Sequence, residues 1–234
     1  MTILAFDTCF DACSVALLPG GGGPAISRFE AMSTGHAERL MPMIDEVMKQ
    51  AGVAFEEIER IAVTVGPGTF TGTRIGVAAA RALALALDRP VVAETSLSVM
   101  AEQLADEQQS RVGAADKETL IAMDARRAEV YCQLFRGRDA LTAPAVLPAR
   151  AAVDLGQVEN ALMVAGSGAG AIAAQADQVG RLVSASHDEL LPSAVFLAMR
   201  TARRKTGSEP VAPLYLRPAD AKPQIGKSIP RTLS

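Results

Sequence analysis

Histidine and cysteine are scarce in this chain, and a surplus of positive charge is missing. Two histidines (His36, His187) and three cysteines (Cys9, Cys13, Cys132) in 234 residues leave a nitrogen- or thiolate-rich metal centre almost no ligands. Three thiols cannot all pair, which fits a reducing compartment and small buried side chains rather than a disulfide framework. Neither a Ser-His-Asp nor a Cys-His constellation can be argued from two distant histidines. A net charge of -3 gives no electrostatic footprint for nucleic acid. No run of 18 apolar residues occurs and no basic leader precedes the first apolar stretch, so a cytoplasmic protein with no membrane partner is expected.

What is present is a globular composition, 49% hydrophobic and 21% charged, long enough for two small domains. Three β-rich runs open the chain: ILAFDT (3–8), CSVALL (13–18) and a third near Ala25 to Ala31, with GGGGP (20–24) between the last two. Their short links predict an antiparallel meander. A helix follows, capped by Ser33 or Thr34 and stopped by Gly52. Leu40, Ile44, Val47, Met48 and Ala51 form its apolar face, widened by Met41 and Met43. Pro42 either kinks this helix or lies near its first turn. Core packing accounts for much of the face; methionines at its edge also suit an adaptable subunit contact.

The stretch from Arg60 to Ala93 reads as strand, glycine-rich turn, long small-residue helix, strand. Gly66, Gly68 and Gly72 lie where phosphate-binding loops often lie. The Walker pattern fails because Thr73-Arg74 stands where Lys-Ser/Thr is required. The dinucleotide fingerprint places Glu94 as a ribose-binding acid, yet Thr71 occupies its third glycine position. The remaining reading is a tight turn, with Gly66 and Gly68 supplying unusual backbone, Pro67 stiffening it and Thr69 or Thr71 capping the helix. That helix is apolar nearly all round except Arg74 and Arg81, which predicts burial on most sides. A third helix spans Ser96 to Gln109, capped by Thr95 or Ser96.

The second half looks like a shortened version of the first. Residues 111–117 read as a linker. TLIAMD and EVYCQLF form two strands about the turn Asp124 to Ala128. LMVAG (162–166) is a short strand, GSGAGAIAAQAD a helix or loop, and Arg181 to Ala185 a further strand. Leu191 to Thr206 is a last amphipathic helix, with basic residues in its final turns as the helix dipole favours. The division is 1–109 for a first domain, with helix 191–206 packed on it, 110–190 for a smaller second one, and a polar tail, 219–234, expected to be disordered.

Several segments together resemble the TsaB family over residues 2 to 217. They are Asp7-Thr8-Cys9, Ser14-Val15-Ala16-Leu17, the GPGTFTGTRIG run from Gly66 to Gly76, Ser96-Leu97, Asp124-Ala125-Arg126 with Glu129-Val130-Tyr131, and Pro213-Leu214-Tyr215-Leu216-Arg217. The GPGTFTGTRIG run is the most specific. The resemblance implies an α/β protein of two RNase H-like domains in the actin-like ATPase (ASKHA) superfamily, with mixed sheets and the second domain reduced. It also implies a role in the threonylcarbamoyl (t6A) modification of the tRNA adenosine beside the anticodon. The sister family TsaD, the catalytic subunit, carries a His-x-x-x-His metal pair where this chain reads Val92 to Ala101 without histidine. The superfamily's Asp-x-Gly-Thr phosphate hairpin is reduced here to Asp7-Thr8 followed by Cys9-Phe10-Asp11-Ala12, so Asp7 and Thr8 are vestigial. His36 matches a helix-start residue of structural kind.

These comparisons imply a non-catalytic partner that binds and positions TsaD, with ATP and a metal ion in that subunit and no cofactor of its own. A TsaE-type ATPase joins the larger complex, tRNA is met only through it, and a homodimer forms when TsaD is absent. The expected interface is Leu40, Met41, Ile44, Met48, Arg74, Val77 and Arg81. The competing enzyme reading is a stand-alone ATPase or small-molecule kinase of the same superfamily, dependent on Asp7. Direct tRNA binding would rest on Arg200, Arg203, Arg204 and Lys205, for which a solvated helix end is the plainer account. A peptidase has no nucleophile-base pair to rest on.

Overall fold

The computed structural model describes residues 1–109, 118–156, 161–204 and 211–217. The expected linker (111–117), Lys205 and the tail lie outside them. The first sheet is built from β1 (Ile3–Asp7), β2 (Ala12–Leu18), β3 (Ile26–Ala31), β4 (Arg60–Thr64) and β5 (Val91–Glu94), in the order β3-β2-β1-β4-β5. β1, β2 and β3 pair antiparallel, as the meander predicts, and β4 and β5 add in parallel. Three helices accompany them: α1 (His36–Ala51), α2 (Phe70–Leu87) and α3 (Ser96–Gln109).

The central strand shows how burial on both faces writes an unbroken apolar run. Leu4 and Phe6 point to a core shared with α1 and α2, whereas Ile3 and Ala5 point to the opposite face. There they meet the final helix, α6 (Ala194–Arg203), through Ala194, Leu197 and Ala198. The chain therefore returns from its second half to cover the first sheet. Ala194 N–H donates to Ser14 Oγ at 2.9 Å, and Arg60 donates to the Thr201 and Arg204 carbonyls at 3.0 and 2.9 Å.

The second sheet uses β6 (Glu118–Asp124), β7 (Glu129–Arg136), β8 (Asp139–Ala140), β10 (Leu162–Ala165) and β11 (Val183–Ser186), in the order β11-β10-β6-β7-β8, with β9 (Ala145–Pro148) on β7. Two helices, α4 (Ala149–Ala152) and α5 (Ala169–Asp177), pack on it. Its central strand pairs antiparallel with one neighbour and parallel with the other, as β1 does. β8, β9 and α4 are too short for sequence periodicity to have shown them. A separate apolar cluster joins the halves: Leu97, Met100 and Leu104 of α3 pack against Ile121, Met123 and Phe135 of the second sheet.

Local expectations held unevenly. Gly52 ends α1 in the left-handed conformation, its N–H on the Lys49 and Met48 carbonyls. The α1 start differs from expectation: Gly35, with φ 86°, stands at the cap and neither Ser33 nor Thr34 caps it. Pro42 lies in the second turn of α1, on its exposed side. Thr69 caps α2, accepting from Gly72 N–H at 3.1 Å, and Thr95 caps α3, accepting from Ser98 N–H at 3.0 Å.

Candidate functional site

The glycine-rich turn between β4 and α2 is where a phosphate would have to bind, and the chain fills that space itself. Thr69 N–H donates to the Cys9 carbonyl at 2.7 Å, so the amino end of α2 is engaged by backbone from the β1–β2 loop. A Cβ at Gly72 would stand 1.9 Å from the Thr8 carbonyl oxygen, and one at Gly68 would stand 2.3 Å from that of Cys9. Gly76 continues the contact one turn on, where a Cβ would lie 2.8 Å from Thr8 Oγ1. Thr8 Oγ1 donates to the Gly72 carbonyl at 2.7 Å. The glycines of this turn are spaced to admit a second stretch of backbone. Gly66 alone among the three needs a positive φ, at 102°; Gly68 is there for close approach.

Asp7 lies beneath this contact, wholly buried. Its carboxylate accepts from the Thr64 hydroxyl and, at 3.3 Å, from Cys9 N–H. Burial pushes its pKa up from the ordinary 3.8 to about 6, against the opposing pull of those hydrogen bonds. Among the described residues no cation pairs with it. Thr8 is buried as well, and the residues that would have to receive a nucleotide's phosphates are packed against one another. The geometry does not fit a phosphate held in the manner of the superfamily.

The thiols are likewise held down. Cys9 is pushed far above the ordinary thiol range by burial and by the Asp7 charge, Cys13 up to about 12 by burial and Asp7, and Cys132 up to about 11 by burial. None is poised as a nucleophile. His36, buried at the start of α1, is hydrogen-bonded through Nε2 to the Phe10 carbonyl at 2.9 Å and so fixes the β1–β2 loop.

The expected interface residues divide sharply. Leu40, Ile44, Met48 and Val77 are 0–3% exposed in the chain's own core, so their expected place on a partner surface is corrected: they pack α1 and α2 on the sheet. Met43 is buried too, whereas Met41 is 46% exposed. Arg74 and Arg81 are exposed, and each ties the segment 211–217 to α2. Arg74 Nε donates to the Tyr215 hydroxyl at 2.7 Å while its guanidinium lies 3.6 Å over the Phe70 ring, and Arg81 Nε donates to the Val211 carbonyl at 2.7 Å. The α2 helix is buried on one side, not on most sides. Ala78, Ala82, Leu85 and Ala86 are exposed, Leu85 by 88%. At 18 residues α2 has the length and average apolarity of a membrane-crossing helix, although one side of it lies on the sheet.

The basic end of α6 finds its charges inside the protein. Arg200 Nε donates to Glu94 Oε2 at 2.9 Å and Arg204 pairs with the other Glu94 oxygen. Glu102, 1% exposed at its side chain, receives Arg138 at 2.6 Å and is also paired with Arg203. The acid that ends β5 is thus engaged by guanidinium groups, not a ribose. Arg138 comes from the turn between β7 and β8 and Glu102 from α3, so this cluster bridges the halves.

A cleft of about 870 Å³ opens between the two halves. One wall comes from the β1–β2 loop, β3 and the start of α2 (Phe10, Asp11, Phe29, Phe70). The other comes from the β6–β7 turn and the segment before α6 (Asp124, Arg126, Tyr131, Asp188, Glu189). The turn that lines it holds Arg126, Arg127 and Ala128 at φ 63°, 57° and 57°, three successive left-handed residues, none glycine. The Asp124-Ala125-Arg126 segment stands out in the sequence but the cleft does not, because its walls come from segments far apart in the chain.

Two α/β lobes, each with a central strand flanked antiparallel on one side and parallel on the other, and an interlobe cleft define the actin-like ATPase class of fold. The model of the family "TsaD: tRNA N6-adenosine threonylcarbamoyltransferase" matches residues 19–178. The chain is 37% identical over 131 residues to the "tRNA threonylcarbamoyladenosine biosynthesis protein TsaB" of Haemophilus influenzae, covering 56% of this chain and 52% of that protein. It spans about half the length of this curated relative and of the Escherichia coli one, which is also 37% identical. An uncharacterized protein of Mycobacterium tuberculosis strain H37Rv is 32% identical across 95% of this chain and 94% of its own. The solved structure "YeaZ from Pseudomonas aeruginosa" superposes with a TM-score of 0.73 at 33% identity, covering 92% of this chain and 99% of that one. The chain belongs to the TsaB (YeaZ) family.

Proposed function

We propose that this protein takes part in the threonylcarbamoyl modification of tRNA as a non-catalytic subunit that binds and positions a TsaD-type catalytic subunit. The names of its relatives supply the pathway. The observation that carries the docking role is the outer face of α2, where Ala78, Ala82, Leu85 and Ala86 form an apolar stripe with nothing of this chain over it among the described residues. Met41 and Phe70, 46% and 54% exposed, extend the apolar surface on α1 and at the start of α2. A stripe rich in alanine lets a second helix approach closely, and leaving it in water is unfavourable. The engagement of the α2 amino end by Thr8 and Cys9 supports a role other than phosphate chemistry at this turn.

In this reading ATP and a metal ion belong to the partner, a TsaE-type ATPase joins the assembly, and tRNA is met through the complex in the cytoplasm. The same stripe closes a homodimer when the partner is absent. Co-purification with the organism's TsaD-type protein tests the proposal. Leu85→Asp should weaken the association at least tenfold while shifting fold stability by no more than about 0.5 kcal/mol, because Leu85 is 88% exposed. Absence of any complex, with or without nucleotide, sinks the docking role. Depletion should lower threonylcarbamoyl content in bulk tRNA.

The interlobe cleft favours a second reading, a stand-alone ATPase or small-molecule kinase. That reading requires ATP turnover by the isolated protein, lost in Asp7→Ala. The burial of Asp7 beneath the β1–β2 loop weighs against it.

A further inference from the structure

The lobes meet through a packed joint and, beside it, face each other across the open cleft. The joint is broad: Leu97, Met100 and Leu104 pack against Ile121, Met123 and Phe135, and the Glu102 carboxylate draws in Arg138 and Arg203. Buried apolar side chains around a paired, buried acid resist separation. Phe10 and Met123 belong to this joint and also line the cleft, so the joint is the cleft's floor. Above it, a narrower tie between the lobes runs through residues 211–217.

That segment has no regular secondary structure and is held down at successive points instead. Arg81 Nε donates to the Val211 carbonyl, Leu214 N–H to the Val65 carbonyl and Arg74 Nε to the Tyr215 hydroxyl, each at 2.7 Å. The Tyr215 ring stacks on Phe70 with centroids 5.6 Å apart, on the same ring that Arg74 covers from 3.6 Å. All these anchors belong to the first lobe, along α2 and at the end of β4. Two residues on, Arg217 pairs with Glu129, which opens β7 in the second lobe. The pair is part-buried, with side chains 22% and 33% exposed, and Arg217 lines the cleft. Phe70 joins the two features, since it forms the stack and also lines the cleft wall.

We propose that segment 211–217 is a clasp that sets the width of the interlobe cleft. Its body is fixed on α2, and its end, Arg217, holds the second lobe through Glu129. A part-buried ion pair is weak enough to open and reclose, whereas the packed joint beside it stays shut and serves as the hinge. Phe70 and Tyr215 are 54% and 49% exposed at the amino end of α2, so whatever covers that end acts on the clasp and through it on the cleft. This corollary rests on the docking reading of α2; the clasp itself needs no partner.

Pulsed electron–electron distance measurement on the full-length chain tests it, with nitroxides at Ala37→Cys on α1 and Ala174→Cys on α5. Both positions are exposed and the native Cys9, Cys13 and Cys132 are buried, so labelling is confined to the two sites. In Arg217→Gln the fraction of molecules beyond the parent's main distance should rise about threefold. Tyr215→Ala should widen the distribution in the same way, although Tyr215 does not line the cleft. The exchanged pair, Arg217→Glu with Glu129→Arg, should return the distribution to the parent's, which separates loss of the pair from local damage. An unchanged distribution in Arg217→Gln overturns the clasp, as does an exchanged pair that stays open. A Tyr215→Ala variant indistinguishable from the parent overturns it too, because the pair would then act without its anchor on α2. Failure of the partner co-purification would leave all three results untouched.

Discussion

The two central strands end in the same residue doing two different things. Asp7 closes β1 and Asp124 closes β6, and each carboxylate accepts from the backbone N–H two residues on, Cys9 at 3.3 Å and Arg126 at 2.9 Å. A glycine turn then reaches the end of each strand from the neighbouring parallel unit. Gly72 and Gly68 press on Thr8 and Cys9 in the first lobe, while Gly166 and Gly168 press on Ala122 in the second, with Gly168 N–H donating to the Ala122 carbonyl at 2.9 Å. The motif is duplicated, yet Asp7 is sealed and Asp124 lies open in the cleft. The difference is made by the loop that follows. In the first lobe it folds down onto α2; in the second it stands out as a left-handed hairpin turn.

Glycine packing separates the lobes most strongly. In Gly72→Ala the new methyl meets backbone, the Thr8 carbonyl, which cannot swing aside, so a loss of about 3 kcal/mol or more and failure to fold at moderate temperature are expected. Gly168→Ala meets the Val130 methyl at 2.9 Å and the Ala122 backbone only at 3.2 Å, and should cost less. Urea midpoints of the two variants check the order; equal losses would mean the contacts are equivalent.

The bridge between lobes comes next. Glu102→Ala leaves Arg138 and Arg203 without their buried partner and should destabilise by about 3 kcal/mol. If the lobes unfold separately by calorimetry in this variant and together in the parent, the ion cluster is what couples them.

The acids themselves give a pH signature. Because folding raises the Asp7 pKa from 3.8 to about 6, the folded state holds a proton that the unfolded state has released between these values. Stability from this group is therefore full below about pH 4 and declines as pH rises through 6, by about 3 kcal/mol. Asp7→Asn should flatten that decline; Asp124→Asn, at the exposed counterpart, should leave it in place. Denaturation curves between pH 4 and 8 decide the matter.

The smallest effect lies in the hairpin turn. Ala128→Gly removes a side chain from φ 57° and should stabilise by roughly 0.5–1 kcal/mol, read as a small rise in thermal midpoint.

Much of this architecture was legible because it is local. Unbroken apolar runs marked β1 and β2, the GPGTFTG run marked the β4–α2 turn, and Thr69 and Gly52 punctuated helices as their chemistry predicts. What periodicity could not show depends on residues far apart. Leu40, Ile44 and Met48 read as part of an overwide face, and only packing on β2 and β3 assigns them to the core while leaving Met41 outside. The basic end of α6 read as a solvated helix end or an RNA patch, because its partners Glu94 and Glu102 lie about a hundred residues earlier. The α1 cap went to Gly35 rather than to a hydroxyl, since a left-handed turn delivers the chain into the helix there.

The return of α6 to the first sheet has a consequence for how the protein is made. The opposite face of β1 and β2 stays uncovered until residues 194–203 have been synthesised, and the end of β4 and α2 lack their respective ties to Leu214 (at Val65) and Tyr215 (at Arg74) until residue 215 emerges. At typical translation rates, roughly 5 to 20 s separate the end of α3 from the residues that complete its lobe. The second lobe, made later, is thus the first that can close. A nascent chain stalled near residue 190 would expose Ile3, Ala5 and Ala16 to whatever apolar surface is nearby, and a co-translational chaperone has its longest opportunity in that interval.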